Sequence, residues 1–220
     1  MEKSRFSAAI QGHRANPSDN RHTYEFRLFR SLALNASLPG SVLKQPARAP
    51  LECLPLLRQW VAFATVSRDS NLALIDWTQA HLESLGITHF RRTFDDSGKK
   101  CNLWVTLPAH DGQTQAGGLV LSGHTDVVPV DGQPWDTDPF DVVERDGKLF
   151  GRGVTDMKGF GASVLAIVPE LLRRGLRRPV HLAFSYDEEV GCIGVRRLIA
   201  DMVERSEEHT SELQSRQYLV

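Results

Sequence analysis

Residues 159–186 read GFGASVLAIVPELLRRGLRRPVHLAFSY, and this stretch decides the fold class. Val164, Leu165, Val168, Leu171 and Leu172 recur at helical spacing and give one broad apolar face from about Gly159 to Arg174. Pro169 removes an internal donor and predicts a kink, while Arg173 and Arg174 complement the negative end of the helix dipole. From Val180 to Tyr186 the pattern becomes an apolar run suited to a strand, followed by an acidic loop and a helix over about 190–204. Upstream, the Leu-Val-Leu run within 118–122 reads as another buried strand. Strand, helix, strand, helix in that order argues an α/β fold.

Further outward, Leu54, Leu57, Val61 and Ala64 keep a helical spacing. Asp69 or Ser70 can cap a second helix, with Leu74, Ile75, Thr78, Leu82 and Leu85 on its apolar face and Gly86 at its end. Extended segments follow around 89–94 and 101–107. Asp146-Gly147 supplies the positive φ angles of a tight hairpin between 140–144 and 148–150. Residues 1–50 mix Arg, Ser, Asn and Pro with short apolar patches and read as an N-terminal extension of uncertain order.

The 220 residues suit one main core. Leu, Val, Phe and Ile number 26, 18, 10 and 6, well above the fifth of the chain below which sequences tend to stay disordered. With 26 Lys and Arg against 27 Asp and Glu, the net charge of −1 gives no field that would attract nucleic acid or an anionic membrane. The longest apolar run, near Ala162–Val168, is far short of the roughly 20 residues a membrane span needs. Three cysteines without a C-x-x-C pair exclude a disulfide framework and a thiolate zinc site, and fit a reducing, cytoplasmic setting.

Three short segments carry polar residues that a plain fold does not require: Ser122-Gly123-His124-Thr125-Asp126, residues 151–159 around Asp156, and Asp187-Glu188-Glu189-Val190-Gly191. Each follows an expected strand or hairpin. Ligand crevices of open α/β sheets lie beyond the carboxyl ends of strands, so His124, Asp156, Glu188 and Glu189 can converge there. One imidazole and several carboxylates suit zinc, manganese or cobalt. Asp126, two residues after His124, can hydrogen-bond the other ring nitrogen and fix the tautomer. Of two adjacent Glu residues, one can hold a metal while the other acts as general base. Singly, each signal has a blander reading: an H-x-D triplet is more often a surface turn, and an Asp-Glu-Glu run more often a solvated helix start. The Gly151-x-Gly153 stretch lacks the third glycine of a dinucleotide loop, and no phosphate-loop lysine motif is present. The remaining histidines read as surface or core residues, and Cys192 as a small buried residue.

Taken together and in this order, the three segments resemble the metal signature of the amidohydrolases and exopeptidases that include acetylornithine deacetylase, succinyl-diaminopimelate desuccinylase, aminoacylase and carboxypeptidase G. The resemblance runs from about Leu51 to Glu204. It includes Ser67-Arg68-Asp69-Ser70-Asn71-Leu72, and it is strongest to the deacetylases in residues 124–129, 135–140 and 156–160. It implies a zinc exopeptidase-like catalytic domain, incomplete here, with a mixed, largely parallel sheet flanked by helices.

For the site, the resemblance implies two divalent ions, zinc with cobalt or manganese as alternatives. His124 would ligate one, Asp156 would bridge both and Glu189 would ligate the other. Glu188 would be the general base, Asp126 would support the site, and a cis peptide would follow Asp156. The implied reaction is hydrolysis of N2-acetyl-L-ornithine to acetate and L-ornithine in arginine biosynthesis, or of a related N-acyl amino acid or peptide, with a non-catalytic remnant as a third reading. The implied partners are a small N-acyl amino acid substrate and, for full-length members, a second copy of the chain. Full-length members also continue into a further acidic ligand and a distal His that have no counterpart here. Residues 205–215 instead resemble a translated sequencing adapter. The expected division is therefore an extension over 1–50, the N-terminal part of the catalytic domain over 51–204 and a non-native tail over 205–220, with low activity for this chain.

Overall fold

The computed structural model describes residues 53–114 and 118–202; the N-terminal extension and the C-terminal tail of the expected division lie outside them. Helices α1 (Cys53–Ala62) and α2 (Leu72–Ser84) precede strands β1 (Phe90–Phe94), β2 (Cys101–Leu107) and β3 (Leu119–His124). The hairpin strands β4 (Val143–Arg145) and β5 (Lys148–Phe150) follow, then α3 (Lys158–Arg174) and β6 (Val180–Ser185). Residues 193–202 form a further helix, α4. Asp146 and Gly147 adopt φ of 53° and 70°, the left-handed pair that a two-residue hairpin requires. Helix α3 runs through Pro169 without a break in its helical residues.

The main sheet has the order β1-β2-β6-β3. It is mixed and flanked by helices, as the resemblance implied, but its parallel character is smaller than expected. Among the described strands of this sheet β3 and β6 pair in parallel, while β1–β2 and β2–β6 are antiparallel. The reason is local for β1–β2: the Asp95–Lys100 turn, closed by the Asp95 N–H donating to the Lys100 carbonyl at 3.0 Å and by the Asp95 carboxylate accepting the Lys100 N–H at 2.8 Å, folds them into a hairpin. The parallel β3–β6 pair is the one bridged by a helix, α3.

Strand alternation sorts the two faces of the sheet. Phe90, Leu103, Val105, Leu182 and Phe184 share one face through their register, and Trp104, Ala183 and Asn102 the other. On the first face α1 and α3 bring Trp60, Leu165 and Val168 into the core, with the Trp60 and Phe184 rings edge-to-face at 5.1 Å. Helix α2 joins them, its Asp76 and Gln79 accepting hydrogen bonds from Arg92 at 2.7 and 2.8 Å. On the second face lies α4, where Asn102 donates to the Gly194 carbonyl at 2.8 Å and Asp201 accepts from Arg91 and Thr93. Both faces of the central strands β2 and β6 are thereby covered, which explains their near-continuous burial.

The start of α2 differs from a plain cap. Ser70 Oγ accepts the Leu72 N–H at 3.2 Å, while the residue at the cap position is Asn71, whose side chain makes no cap bond. Its amide instead exchanges hydrogen bonds with the backbone of Cys101 and donates to Thr125 Oγ1, all at 2.9 Å. Asn71 thus ties α2 to β2 and to the segment after His124. Close packing of α1 on α3 depends on Gly161, where an added Cβ would fall 1.9 Å from a carbon of the fully buried Trp60 ring.

Two outcomes follow from this packing. Gly161→Ala should destabilise the chain by roughly 1–3 kcal/mol, read from its urea midpoint, because a ring buried on all sides has nowhere to move. Burial holds the His81 and His181 imidazoles, stacked on Trp77 and Trp104, below their ordinary pKa of 6.5. The unfolded chain then takes up these protons first, so their effect is absent above about pH 6.5 and stability falls as the pH drops through it. The loss of thermal midpoint between pH 7.5 and 5.5 should be smaller in His181→Gln than in the wild type.

Candidate metal centre

The β3–β6 register sets Gly123 beside Phe184 and His124 beside Ser185, so both chains leave the sheet side by side at their carboxyl ends. The Thr125 N–H and Oγ1 both donate to the Ser185 carbonyl, at 2.8 and 2.9 Å. On the other side, Val127 exchanges backbone hydrogen bonds with Thr65 and Ser67, at 3.0 and 3.1 Å. Residues 124–127 are therefore held between β6 and segment 65–67. Asp156 enters from the turn before α3, and the Asp156–Met157 peptide is cis, as the resemblance implied.

His124 is the buried anchor. Its Nε2 lies 3.1 Å from Asp156 Oδ1 and 3.6 Å from Glu188 Oε2. One ligand atom each from His124, Asp156 and Glu189 lie within 4.8 Å of one another, bringing together the three residues read as metal ligands. For comparison, two donors bonded at about 2.1 Å to one tetrahedral zinc stand about 3.4 Å apart. The Asp156 side chain is 72% exposed and that of Glu188 43%, so both can adjust to an ion.

Asp126 behaves somewhat differently from the simple expectation. The His124 Nδ1 contact at 2.9 Å is with the Asp126 backbone carbonyl, and the carboxylate stands at 3.5 Å. The carboxylate accepts from Ser67 Oγ at 2.7 Å and from the N–H groups of Glu188 and Glu189 at 3.0 and 3.2 Å. Asp126 thus orients the imidazole through its carbonyl and fixes the backbone of the acidic pair through its carboxylate. Burial pushes the Asp126 carboxyl up, but hydrogen bonds from His124, Ser67 and the Glu188 amide outweigh it and hold the group below its ordinary value. Burial opposes charge on His124 too, yet its hydrogen bonds to Asp126 and Asp156 raise it to about 9. Burial and the neighbouring Asp156 charge push Glu189 up. One imidazole among several crowded carboxylates is a donor set that a divalent cation satisfies.

The structure adds residues that motif reading did not assign. Ser67 and Asn71 sit in the segment quoted for the resemblance, but nothing in their spacing gave them a role. Lys158 is fully buried and donates to the carbonyls of Trp60 and Phe63 at the end of α1; burial lowers its amine to about 7. Lys100 donates to both oxygens of Asp187 at 2.6 Å and to the Ser67 carbonyl. Cys192 is exposed, not buried, because Gly191 and Cys192 turn outward with positive φ at the start of α4. Its Sγ contacts Glu188 Oε1 at 3.6 Å, and its thiol is pushed up, first by desolvation and then by that carboxylate. Among the described residues, no helix is long and apolar enough to cross a membrane.

Sequence comparison independently matches residues 120–214, which include this cluster at the carboxyl ends of parallel strands, to peptidase family M20/M25/M40. The match takes in 95 of the chain's 220 residues, and the likeness to this family supports binding of a divalent metal at the cluster. The chain is similar to the acetylornithine deacetylase of Proteus mirabilis (strain HI4320), 35% identical over 154 residues that make up 67% of this chain and 38% of the relative. To that of Myxococcus xanthus it is 40% identical over 154 residues, covering 67% and 39%. Among solved structures, human carnosine dipeptidase 1 superposes with a TM-score of 0.56 at 26% identity, covering 67% of this chain and 34% of that one. An M20 family metallo-carboxypeptidase from Sulfolobus solfataricus shares the fold with a TM-score of 0.58 at 19% identity, covering 70% and 35%. The chain thus spans about two fifths of the length of the curated relatives it matches.

Asp126→Asn keeps the side-chain shape but replaces a charged acceptor of three hydrogen bonds. It should cost roughly 1.5–3 kcal/mol of stability and speed hydrogen exchange at the Glu188 and Glu189 amides, measured by NMR.

Proposed function

We propose that these residues form the metal-holding part of an amide hydrolase whose substrate is N2-acetyl-L-ornithine, split into acetate and L-ornithine as a step of arginine biosynthesis in the cytoplasm. The observation that carries this reading is the convergence of His124, Asp156 and Glu189 from three separate segments on one point. Similarity to acetylornithine deacetylases supports the substrate. The reading assigns two divalent ions, zinc in the first instance, with His124 on one, Glu189 on the other and Asp156 between them. In the whole protein it adds a second copy of the chain as partner.

A divalent ion bound here would polarise the amide carbonyl and bring the pKa of a bound water from 15.7 to about 7. The chain's own residues do the rest. His124, buried and fixed through Nδ1 by the Asp126 carbonyl, offers Nε2 in one orientation. Glu188, within 3.6 Å of His124 Nε2 and partly exposed, takes the proton from the attacking water as its oxygen bonds to the acyl carbon. When the carbon–nitrogen bond breaks, Glu188 returns that proton to the departing amine. Asp126 holds the amides of Glu188 and Glu189, so the base keeps its place as its charge changes.

A peptide substrate is a second reading, favoured by the structural likeness to a dipeptidase. Isothermal titration with zinc should show uptake by this chain and its loss in His124→Ala. In the product of the entire reading frame, Glu188→Gln should keep the metal and lower kcat on N2-acetyl-L-ornithine by a factor of about 10²–10⁴. Retained metal with faster turnover of dipeptides than of acetylornithine would select the second reading. Metal uptake unchanged in His124→Ala would overturn both.

A further inference from the structure

The acidic pair is held from two sides, and a single ammonium group connects the two supports. Asp187, immediately before Glu188, takes a φ of 53°, a left-handed conformation that Asp and Asn tolerate better than most residues. Its carboxylate is gripped by Lys100 Nζ, with both oxygens at 2.6 Å and both side chains largely buried. The same Nζ donates to the carbonyl of Ser67, whose hydroxyl donates to Asp126, the acceptor of the Glu188 and Glu189 N–H groups. An ammonium has three donors, and these contacts use all of them inside the network.

We propose that Lys100 is a positioning residue for the metal centre: by clamping Asp187 and the Ser67 carbonyl together, it sets the backbone from which Glu188 and Glu189 reach the ion. The proposal rests on the metal-centre reading above. Lys100 touches none of the ligand residues, and its own backbone is fixed independently by Asp95 in the β1–β2 turn. The turn therefore gives Nζ a stationary base. Without the ammonium, the Asp187 carboxylate would be left largely buried without its cation, next to an acidic pair that already carries like charge. Rotating that carboxylate toward water would release the left-handed turn that directs Glu188 and Glu189 inward.

The test is Co²⁺ titration of the whole chain, read by visible absorption, which reports ligand geometry as well as occupancy. Lys100→Met should weaken Co²⁺ binding by about ten- to a hundredfold and change the absorption spectrum. Leu82→Ala, which empties a fully buried position near the C-terminal end of α2, away from the Asn71 end that faces the site, should keep wild-type affinity and spectrum when measured well below its melting temperature, so loss of stability alone does not reproduce the effect. Wild-type affinity and spectrum in Lys100→Met would overturn the proposal. If that variant does not fold, Asp187→Asn carries the test, because Asn accepts the same φ while losing the charge pair; a loss of affinity is expected and an unchanged titration overturns it. His124→Ala separates the two levels. Equal Co²⁺ uptake by wild type and His124→Ala defeats the metal-centre reading itself, whereas loss in His124→Ala with none in the Lys100 variant defeats only the role of Lys100.

Discussion

Asp126 brings a negative charge to a position that is only 2% exposed, and everything around the candidate centre is arranged to satisfy it. An unpaired carboxylate there would be untenable. Its partners come from three separate parts of the chain: Ser67 from the segment between α1 and α2, His124 from the end of β3, and the amides of Glu188 and Glu189 from the loop after β6. Because one carboxylate must collect all of these donors, the three segments cannot drift independently. His124 and Glu189, two of the metal-ligand candidates, inherit that rigidity at the level of backbone. The parallel pairing of β3 with β6 makes the collection possible, since antiparallel neighbours would place His124 and Glu188 at opposite ends of the sheet.

Much of this was legible in the sequence because local rules and tertiary requirements agreed. The Asp146-Gly147 turn formed as read, and so did the apolar face of α3 apart from Leu172, which is exposed. The Leu-Val-Leu run formed a strand but not the buried one expected, because β3 lies at the edge of the sheet and leaves Leu119 and Val120 exposed. His124, Asp156, Glu188 and Glu189 stood out because their polar character had no structural excuse at strand ends. The extent of antiparallel pairing was not legible in the same way. Periodicity fixes which residues face inward along a strand but says nothing about which strand lies beside it or in which direction, and here the Asp95–Lys100 turn decides the β1–β2 direction through its own hydrogen bonds.

The supporting residues were illegible for a different reason. Ser67, Asn71 and Lys100 are ordinary surface residue types, and only their partners, between 30 and 87 positions away in the chain, make them structural. Lys158 shows the limit most clearly. A lysine in a polar loop sequence reads as solvated, yet it is fully buried, because the last carbonyls of α1 need donors that the helix itself does not supply. Cys192 fails in the opposite sense, since the left-handed turn after Gly191 carries a residue type that is usually buried out to solvent.

The centre combines a fixed imidazole with movable carboxylates, and this asymmetry has a physical use. His124 is buried and contacted at both ring nitrogens, by the Asp126 carbonyl and the Asp156 carboxylate, while the Asp156 and Glu188 side chains are themselves substantially exposed. Crowded carboxylates repel one another, Glu189 being pushed up first by burial and then by the Asp156 charge, and each can relieve that repulsion by turning toward water. A cation reverses the balance, making the inward orientation the favourable one for all of them at once. The backbone scaffold built around Asp126 limits how far the Glu188 and Glu189 carboxylates travel, so the ordering entropy lost when these two close on an ion is small. A rigid imidazole with carboxylates on short, anchored tethers is therefore suited to capturing a divalent ion without rebuilding the fold.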